Sequence, residues 1–223
     1  MSIQLKLAFM DFNKMFRHEG LRSQDKFLSR LFGIFSEEIV RIWASDETVV
    51  PYRDLGRPTV KTQLEVKNKG RGCTFDFALE EKKSGRKFIC EQKCELEFEN
   101  YKYLELKEPE QLRHHERNLA FGRFLDIGKN PRKYRVFVKG RQIENVRGIV
   151  LIWGKVLERG RKEAKDRYYI YNVLSLEDII KDLVIWESKR YLEMIREKQK
   201  WCNDLFHNLV SSDASDCFGR ARV

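Results

Sequence analysis

The sequence predicts a mixed α/β domain: a central mixed β-sheet flanked by helices, followed by a long C-terminal helical segment. Three observations carry that expectation. Residues 26–43 place Phe27, Leu28, Leu31, Phe32, Phe35, Ile39, Ile42 and Trp43 at helical spacing. Strand-like runs at 60–66, 73–79 and 87–98 follow, the last two joined by the polar, Gly-containing stretch 80–86 of a hairpin connection. The run 148–153, inside NVRGIVLIWGKV, is continuously apolar, as a strand buried on both faces requires.

The remaining elements fall between these. Residues 49–58 read as turns. Pro109 suits the first turn of a helix reaching about residue 127, with Leu112, Leu119, Phe124 and Leu125 inward. A strand is expected over 168–173, and Ser175 as N-cap of a helix with Glu177 and Asp178 in its first turn. Helical spacing continues through Leu192, Ile195, Cys202, Leu205 and Phe206, with a kink near Trp186. The chain thus divides into a domain over 1–183, a helical extension over 184–210 and a small, polar, mobile tail over 211–223.

Composition narrows the function classes. With 223 residues, 42% apolar and 35% charged, the chain can bury a real core under a heavily charged surface. A net charge of +10 points to a polyanionic partner. A membrane is not expected, because no apolar run approaches the roughly 20 residues of a span. The N-terminal apolar stretch lacks a small-residue cleavage site and meets Asp11, so no signal peptide and a cytoplasmic location are expected. The five cysteines form no CxxC pair and no zinc-like spacing with the four histidines, which leaves free thiols as the reading. Cys90 and Cys94 share one strand face and read as core. Gly154-Lys155 lacks the upstream glycine of a phosphate-binding loop, and Gly140 and Gly160 read as turn glycines. Adjacent His114 and His115 face different ways on a helix, with His115 expected to be packed.

The hairpin carries the chemistry. Asp76 sits between Phe75 and Phe77, and Glu91-Gln92-Lys93 lies on the returning strand. Glu91 and Lys93 share a strand face. A turn centred between Lys83 and Ser84 puts position 76 opposite 91; one centred between Ser84 and Gly85 puts it opposite 93. Both registers bring Asp76, Glu91 and Lys93 to one face. Two carboxylates, the Gln92 backbone carbonyl and water are the hard oxygen ligands of Mg²⁺ or Mn²⁺, and Lys93 is placed to orient water or meet charge on a phosphate. Against this stands the commonness of Glu-x-Lys on protein surfaces. A charge pair entering just after Phe88-Ile89-Cys90 is costly without partners, which favours a site.

Gly70 and Gly72, then Phe75-Asp76-Phe77, then Ile89-Cys90-Glu91-Gln92-Lys93 resemble the PD-(D/E)XK, restriction endonuclease-like nuclease superfamily, with Phe75 where its signature has Pro. The first helix is similar to that of archaeal Holliday junction resolvases: Gly20, then acidic Asp25, then Leu28, Leu31 and Phe32. Size and basicity are similar to small nucleases of archaeal viruses. The resemblance implies a restriction endonuclease-like sheet, Asp76, Glu91 and Lys93 as catalytic residues, Asp76, Glu91, Gln92 and Asp25 as metal ligands, DNA as substrate, and a homodimer. Glu37 and Glu38 compete with Asp25 for the auxiliary place.

Residues 129–167 hold 13 Lys/Arg against four Asp/Glu, so nearly all the excess charge is local. Lys129, Arg132, Lys133, Arg135, Lys139 and Arg141 are the expected phosphate contacts; two solvated hairpin loops around the 145–156 strand are the plain alternative. Without an aromatic–basic repeat, duplex or branched DNA is favoured over single strands. The expectation is a metal-dependent DNA endonuclease; the alternatives are a non-cleaving DNA-binding protein on the same fold, or an RNA-processing nuclease.

Overall fold

The computed structural model describes residues 12–17, 25–45 and 50–211. Gly20, Cys217 and the expected mobile tail beyond 211 lie outside the described residues. The chain forms two compact units, residues 1–182 and 183–223.

The first unit is α/β. A short helix α1 (Phe12–Phe16) precedes α2 (Lys26–Ala44), which Asp25 caps by accepting from the Leu28 N–H at 2.8 Å. Strands β1 (Tyr52–Gly56) and β2 (Pro58–Thr62) follow. The 49–58 segment read as turns therefore contains a strand, masked by its flanking prolines and a bulge between Asp54 and Gly56. Residues 63–67 form a helix, α3 (Gln63–Lys67), and not the end of a strand. Its cause is the capping box of Thr62 and Glu65, whose side chains bond each other's backbone N–H.

Strands β3 (Cys73–Thr74), β4 (Phe77–Glu81) and β5 (Lys87–Lys93) come next, then β6 (Glu105–Leu106). Strand β5 stops at Lys93 rather than 98, because its neighbours in the ladder run out there: β4 begins opposite Cys90 and Lys93 pairs with Trp153. The helix expected over 109–127 is two, α4 (Glu110–Glu116) and α5 (Leu119–Lys129). Asn118 breaks it by capping α5, its side chain accepting from the Ala120 N–H at 2.9 Å. A 3₁₀ turn (Pro131–Lys133) leads into β7 (Tyr134–Val138) and β8 (Arg141–Ile143), then β9 (Val146–Trp153) and β10 (Lys155–Val156). Helix α6 (Glu158–Tyr168), β11 (Asn172–Ser175) and α7 (Leu176–Ile185) complete the order.

The central sheet runs β1-β4-β5-β9-β11, antiparallel through β1, β4 and β5 and parallel through β5, β9 and β11. The sheet is mixed and helices flank it, as the sequence predicts. Ile89, Ile149, Leu151 and Trp153 bury one face against Phe121, Phe124 and Leu125 of α5 and Ala164 and Tyr168 of α6. Helix α2 meets the sheet through Ser36 on Gln92, Arg41 over the Phe77 ring and Trp43 beside Tyr52. Trp43 also donates to Asp182 of α7 at 3.0 Å. A second, antiparallel sheet runs β3-β2-β7-β8, and β6 pairs with β10 in parallel.

The 158–168 segment shows how burial can hide from sequence. Its buried residues are Gly160, Ala164 and Tyr168, a stripe four residues apart with almost no apolar bulk. Gly160 is no turn glycine: a Cβ there would sit 2.4 Å from the Leu106 carbonyl oxygen. Tyr169, in the left-handed region at φ 57°, ends the helix, which delays the expected 168–173 strand to 172–175.

In the second unit the helical path breaks at Trp186, as the kink expectation has it. Glu187 takes φ 50° and Ser188 donates its N–H to Leu183, after which α8 (Lys189–Ser211) begins. Trp201, Leu205 and Phe206 are exposed on α8. Among the described residues no helix is long and apolar enough to cross a membrane.

Candidate active site

The turn of the β4–β5 hairpin is centred between Lys83 and Ser84: Phe77 pairs with Cys90 and Glu80 with Lys87. Continued by one residue, that register sets Asp76 opposite Glu91, the first of the two alternatives. Asp76 itself occupies a bend just before β4. The bend arises because the chain changes sheets there. Phe75 donates its N–H to Pro58 of β2 at 3.1 Å and packs on Phe124, whereas Phe77 lies under Arg41. Two buried phenylalanines drawn to opposite sides pin the aspartate between them.

The ladder is broken at that point, and the Asp76 carboxylate replaces it. Its Oδ2 accepts the Gln92 backbone N–H at 2.8 Å. On a strand the N–H and C=O of one residue leave toward the same neighbour, so the Gln92 carbonyl is aimed at the edge where Asp76 sits. The Gln92 side chain takes the other face and donates to Ser36 of α2 at 2.5 Å. Arg57 Nη2 approaches Asp76 Oδ1 at 3.8 Å, a neighbour that sequence reasoning missed because β1 and the link from it to β2 lay in the 49–58 segment read as turns.

Glu91 and Lys93 meet on one face, Nζ to Oε1 2.6 Å. Burial pushes the Glu91 carboxyl up to about 7; the Asp76 charge adds to this while Lys93 opposes it. Burial alone would lower Lys93, but Glu91 and Asp76 outweigh it and the net shift is upward, so the ammonium is held charged. Around it stand Phe121, whose ring centre is 5.7 Å from Nζ, and Trp153, its partner in the parallel register. His115 packs on Phe121 and Trp153; burial, then the charge of Lys93, then His114, push its imidazole down to about 3. It is a buried, packed ring, as the sequence suggests. Cys90 and Cys94 are buried free thiols whose pKa burial raises well above the ordinary value.

Asp25 does not join this group. It caps the start of α2, eleven residues before the Ser36 that touches Gln92, or roughly 16 Å along the helix. Glu37 is engaged by Arg41 at 3.1 Å. Among the described residues no set of three or more His, Cys, Asp or Glu side chains is placed to hold a metal ion. The oxygen donors that converge are the Asp76 and Glu91 carboxylates and the Gln92 carbonyl.

The basic tract is not two solvated loops. Lys129 ends α5, Arg132 and Lys133 form the 3₁₀ turn, Arg135 lies on β7, Lys139 is in the β7–β8 turn and Arg141 starts β8. The second half of the tract is mostly helix α6. Lys139 brings the hairpin turn to the site's margin: its Cε lies 3.6 Å from where a Cβ on Gly56, next to Arg57, would stand. Gly72 shows why a side chain is excluded before the motif, since a Cβ there would meet the Val60 carbonyl at 2.7 Å with φ at 73°. No protein-family model matches this chain, and no curated protein or solved structure matches it.

Proposed function

We propose that this chain is a metal-dependent nuclease of the PD-(D/E)XK kind that hydrolyses DNA phosphodiester bonds. The observation that carries the reading is the broken ladder. Asp76 bonds the Gln92 N–H at 2.8 Å, with Glu91 next along β5 and Lys93 2.6 Å from it. A mixed central sheet flanked by helices, antiparallel through β1, β4 and β5 and parallel from β5 to β9, is compatible with that reading.

The donor set fits a hard divalent cation, Mg²⁺ or Mn²⁺. Burial and the Asp76 charge already raise the cost of ionising Glu91, and a cation held by Asp76, Glu91 and the Gln92 carbonyl would offset that cost. When bound, such an ion polarises a phosphate and makes its water more acidic. Lys93, charged and backed by Phe121 and neutral His115, orients the attacking water or meets negative charge on the phosphate oxygens. Those rings also exclude bulk water, which strengthens the charge interactions in front of them.

DNA binding is proposed to run from Arg57 and Lys139 at the margin to Arg132, Arg135 and Arg141. A homodimer through the exposed Trp201, Leu205 and Phe206 of α8 would supply two sites for two strands. Light scattering should then show association that Trp201→Ala or Phe206→Ala weakens; a monomer at all concentrations removes the dimer and leaves the site untouched.

The test of the activity is cleavage of linear, nicked, flapped and four-way DNA with Mg²⁺ or Mn²⁺, beside calorimetric metal titration. Asp76→Asn keeps shape and removes charge. Metal binding should be lost and cleavage fall by more than about 100-fold, beyond what losing an outer partner of a ligand costs. Lys93→Ala should keep metal binding and slow cleavage by roughly 10²- to 10⁴-fold. Cleavage by Asp76→Asn at the parent rate would end the nuclease reading.

A further inference from the structure

A cavity of about 370 Å³ opens between the 3₁₀ turn, the start of β7, the end of β8 and the start of β9. Arg132, Arg135 and Arg147 line it, with Asn145, Gln142 and Glu144. Elsewhere nine described arginines meet a carboxylate within 4.0 Å (Arg17, 41, 53, 57, 86, 123, 159, 161 and 167). These three form no such pair among the described residues. Arg147 instead donates Nε to Asn145 Oδ1 at 2.7 Å, which fixes the guanidinium from one edge. Glu144, the one acid of the lining, is engaged by Gln142 Nε2 at 2.6 Å. Three like charges gathered around one concavity repel each other, and the arrangement is relieved when an anion sits among them.

We infer that this cavity is a phosphate site that takes the terminal phosphate of a nucleic-acid strand. The phosphate chemistry stands on the three guanidinia, each able to give paired N–H donors to phosphate oxygens. Only the identity of its bearer rests on the nuclease reading. A terminal monoester carries more charge than an internal diester, so it gains more from three guanidinia gathered at one concavity. The cavity also lies at a useful distance from the carboxylates. Leu151 pairs with Glu91 across the parallel register, and Arg147 is four residues earlier on β9, roughly 13 Å along the strand. A strand end anchored there would reach the carboxylate pair within a few nucleotides.

The test is binding without metal, on Asp76→Asn so that cleavage plays no part. Fluorescence anisotropy with labelled duplexes that differ only in a 5′-phosphate, a 3′-phosphate or neither reads the preference, and inorganic phosphate serves as competitor. One phosphorylated end should bind at least about tenfold tighter than the hydroxyl end. Arg135→Ala and Arg147→Ala should each remove on the order of tenfold of that preference, as expected for a charged hydrogen-bonding partner. Arg147→Lys should restore part of it. Equal binding of all three duplexes, or a preference indifferent to Arg132, Arg135 and Arg147, overturns the site. Phosphate-dependent binding equal for internal and terminal phosphates assigns the cavity to the backbone and overturns the end-binding claim. None of these readouts depends on cleavage, so the nuclease reading can fail while the site stands, and the reverse.

Discussion

The two halves of the basic tract have similar composition and opposite surroundings. Residues 155–167 carry six Lys/Arg, four of which meet a carboxylate: Lys155 with Glu105 at 3.2 Å, Arg159 with Glu163 at 2.8 Å, Arg161 with Glu158 at 3.3 Å, and Arg167 with Glu110. Residues 129–147 carry seven, and among the described residues only Lys133 is so paired, with Asp126 at 2.8 Å. The first half surrounds a cavity and edges toward Asp76, and the second ties α6 to the rest of its unit. A charge already neutralised within the chain releases no counterions from a polyanion, so equal counts of Lys and Arg predict unequal binding.

Removing charge from each half is the sharpest way to break this comparison. With about six phosphates neutralised, log K for DNA should fall with log salt at a slope near −5. Arg132→Ala, Arg135→Ala and Arg141→Ala together should flatten it by roughly 2.5 to 3. Arg159→Ala, Arg161→Ala and Arg167→Ala together should flatten it by less than about 1. That second triple should instead lower the thermal unfolding midpoint slightly, because exposed pairs are screened by solvent. Equal flattening by both triples would show that internal pairing does not set which charges bind.

The second half should prove the more structural in a further respect. Gly160 packs under it, with a would-be Cβ 2.4 Å from the Leu106 carbonyl oxygen. Backbone cannot yield as a flexible side chain does, so Gly160→Ala should cost about 1–3 kcal/mol despite alanine's better helix propensity. Thermal unfolding reads this directly. Gly140, in the β7–β8 turn with nothing within 4 Å of its would-be Cβ, is a control for φ strain alone.

How much of this was legible depended on whether a residue's neighbours were local. The pairing of position 76 with 91 followed from the turn between Lys83 and Ser84, because a hairpin fixes register over a few residues. The mixed sheet followed from the apolar run of β9, and the packed His115 from its place on a helix. The pinning of Asp76 did not follow, since Phe75 and Phe77 are pulled apart by Phe124 of α5 and Arg41 of α2, 49 and 36 residues away in sequence. Arg57 was hidden because it links β1 to β2 in a segment whose prolines and bulge read as turns. Helix α6 was hidden by its own composition, with Gly160 and Ala164 as most of its buried face. The α3 helix was legible and missed: Thr62-Gln63-Leu64-Glu65 is a capping-box pattern overridden by a strand-like reading of Val60 and Val66. Strand β7 alternates Tyr134, Val136 and Val138 inward with Arg135 and Phe137 outward, a period-2 pattern eclipsed by its charge.

Lys133 is the exception within the first half and supplies the smallest effect. It lies between Arg132 and Arg135 in the fold, yet its Nζ is 2.8 Å from Asp126 Oδ2. Lys133, then Tyr134 and Asn130, hold the Asp126 carboxyl down at about 2. A carboxyl whose folded pKa is depressed contributes stability above its unfolded pKa and loses it as pH falls through the folded one. The Asp126 contribution is therefore complete above about pH 4 and disappears toward pH 2. Lys133→Ala removes the first of three causes, so it should move that loss upward within this window and lower stability only slightly near neutrality, the pair being exposed to solvent. Tyr134 and Asn130 keep the shift from vanishing. The DNA salt slope should change by less than about 0.9, the value of one phosphate contact, whereas Arg132→Ala should change it by about that amount and leave the acid limb in place. Acid unfolding curves and salt titrations on the two single variants separate the neighbours, and a full unit of slope lost with Lys133→Ala would mean that the Asp126 pair opens on DNA.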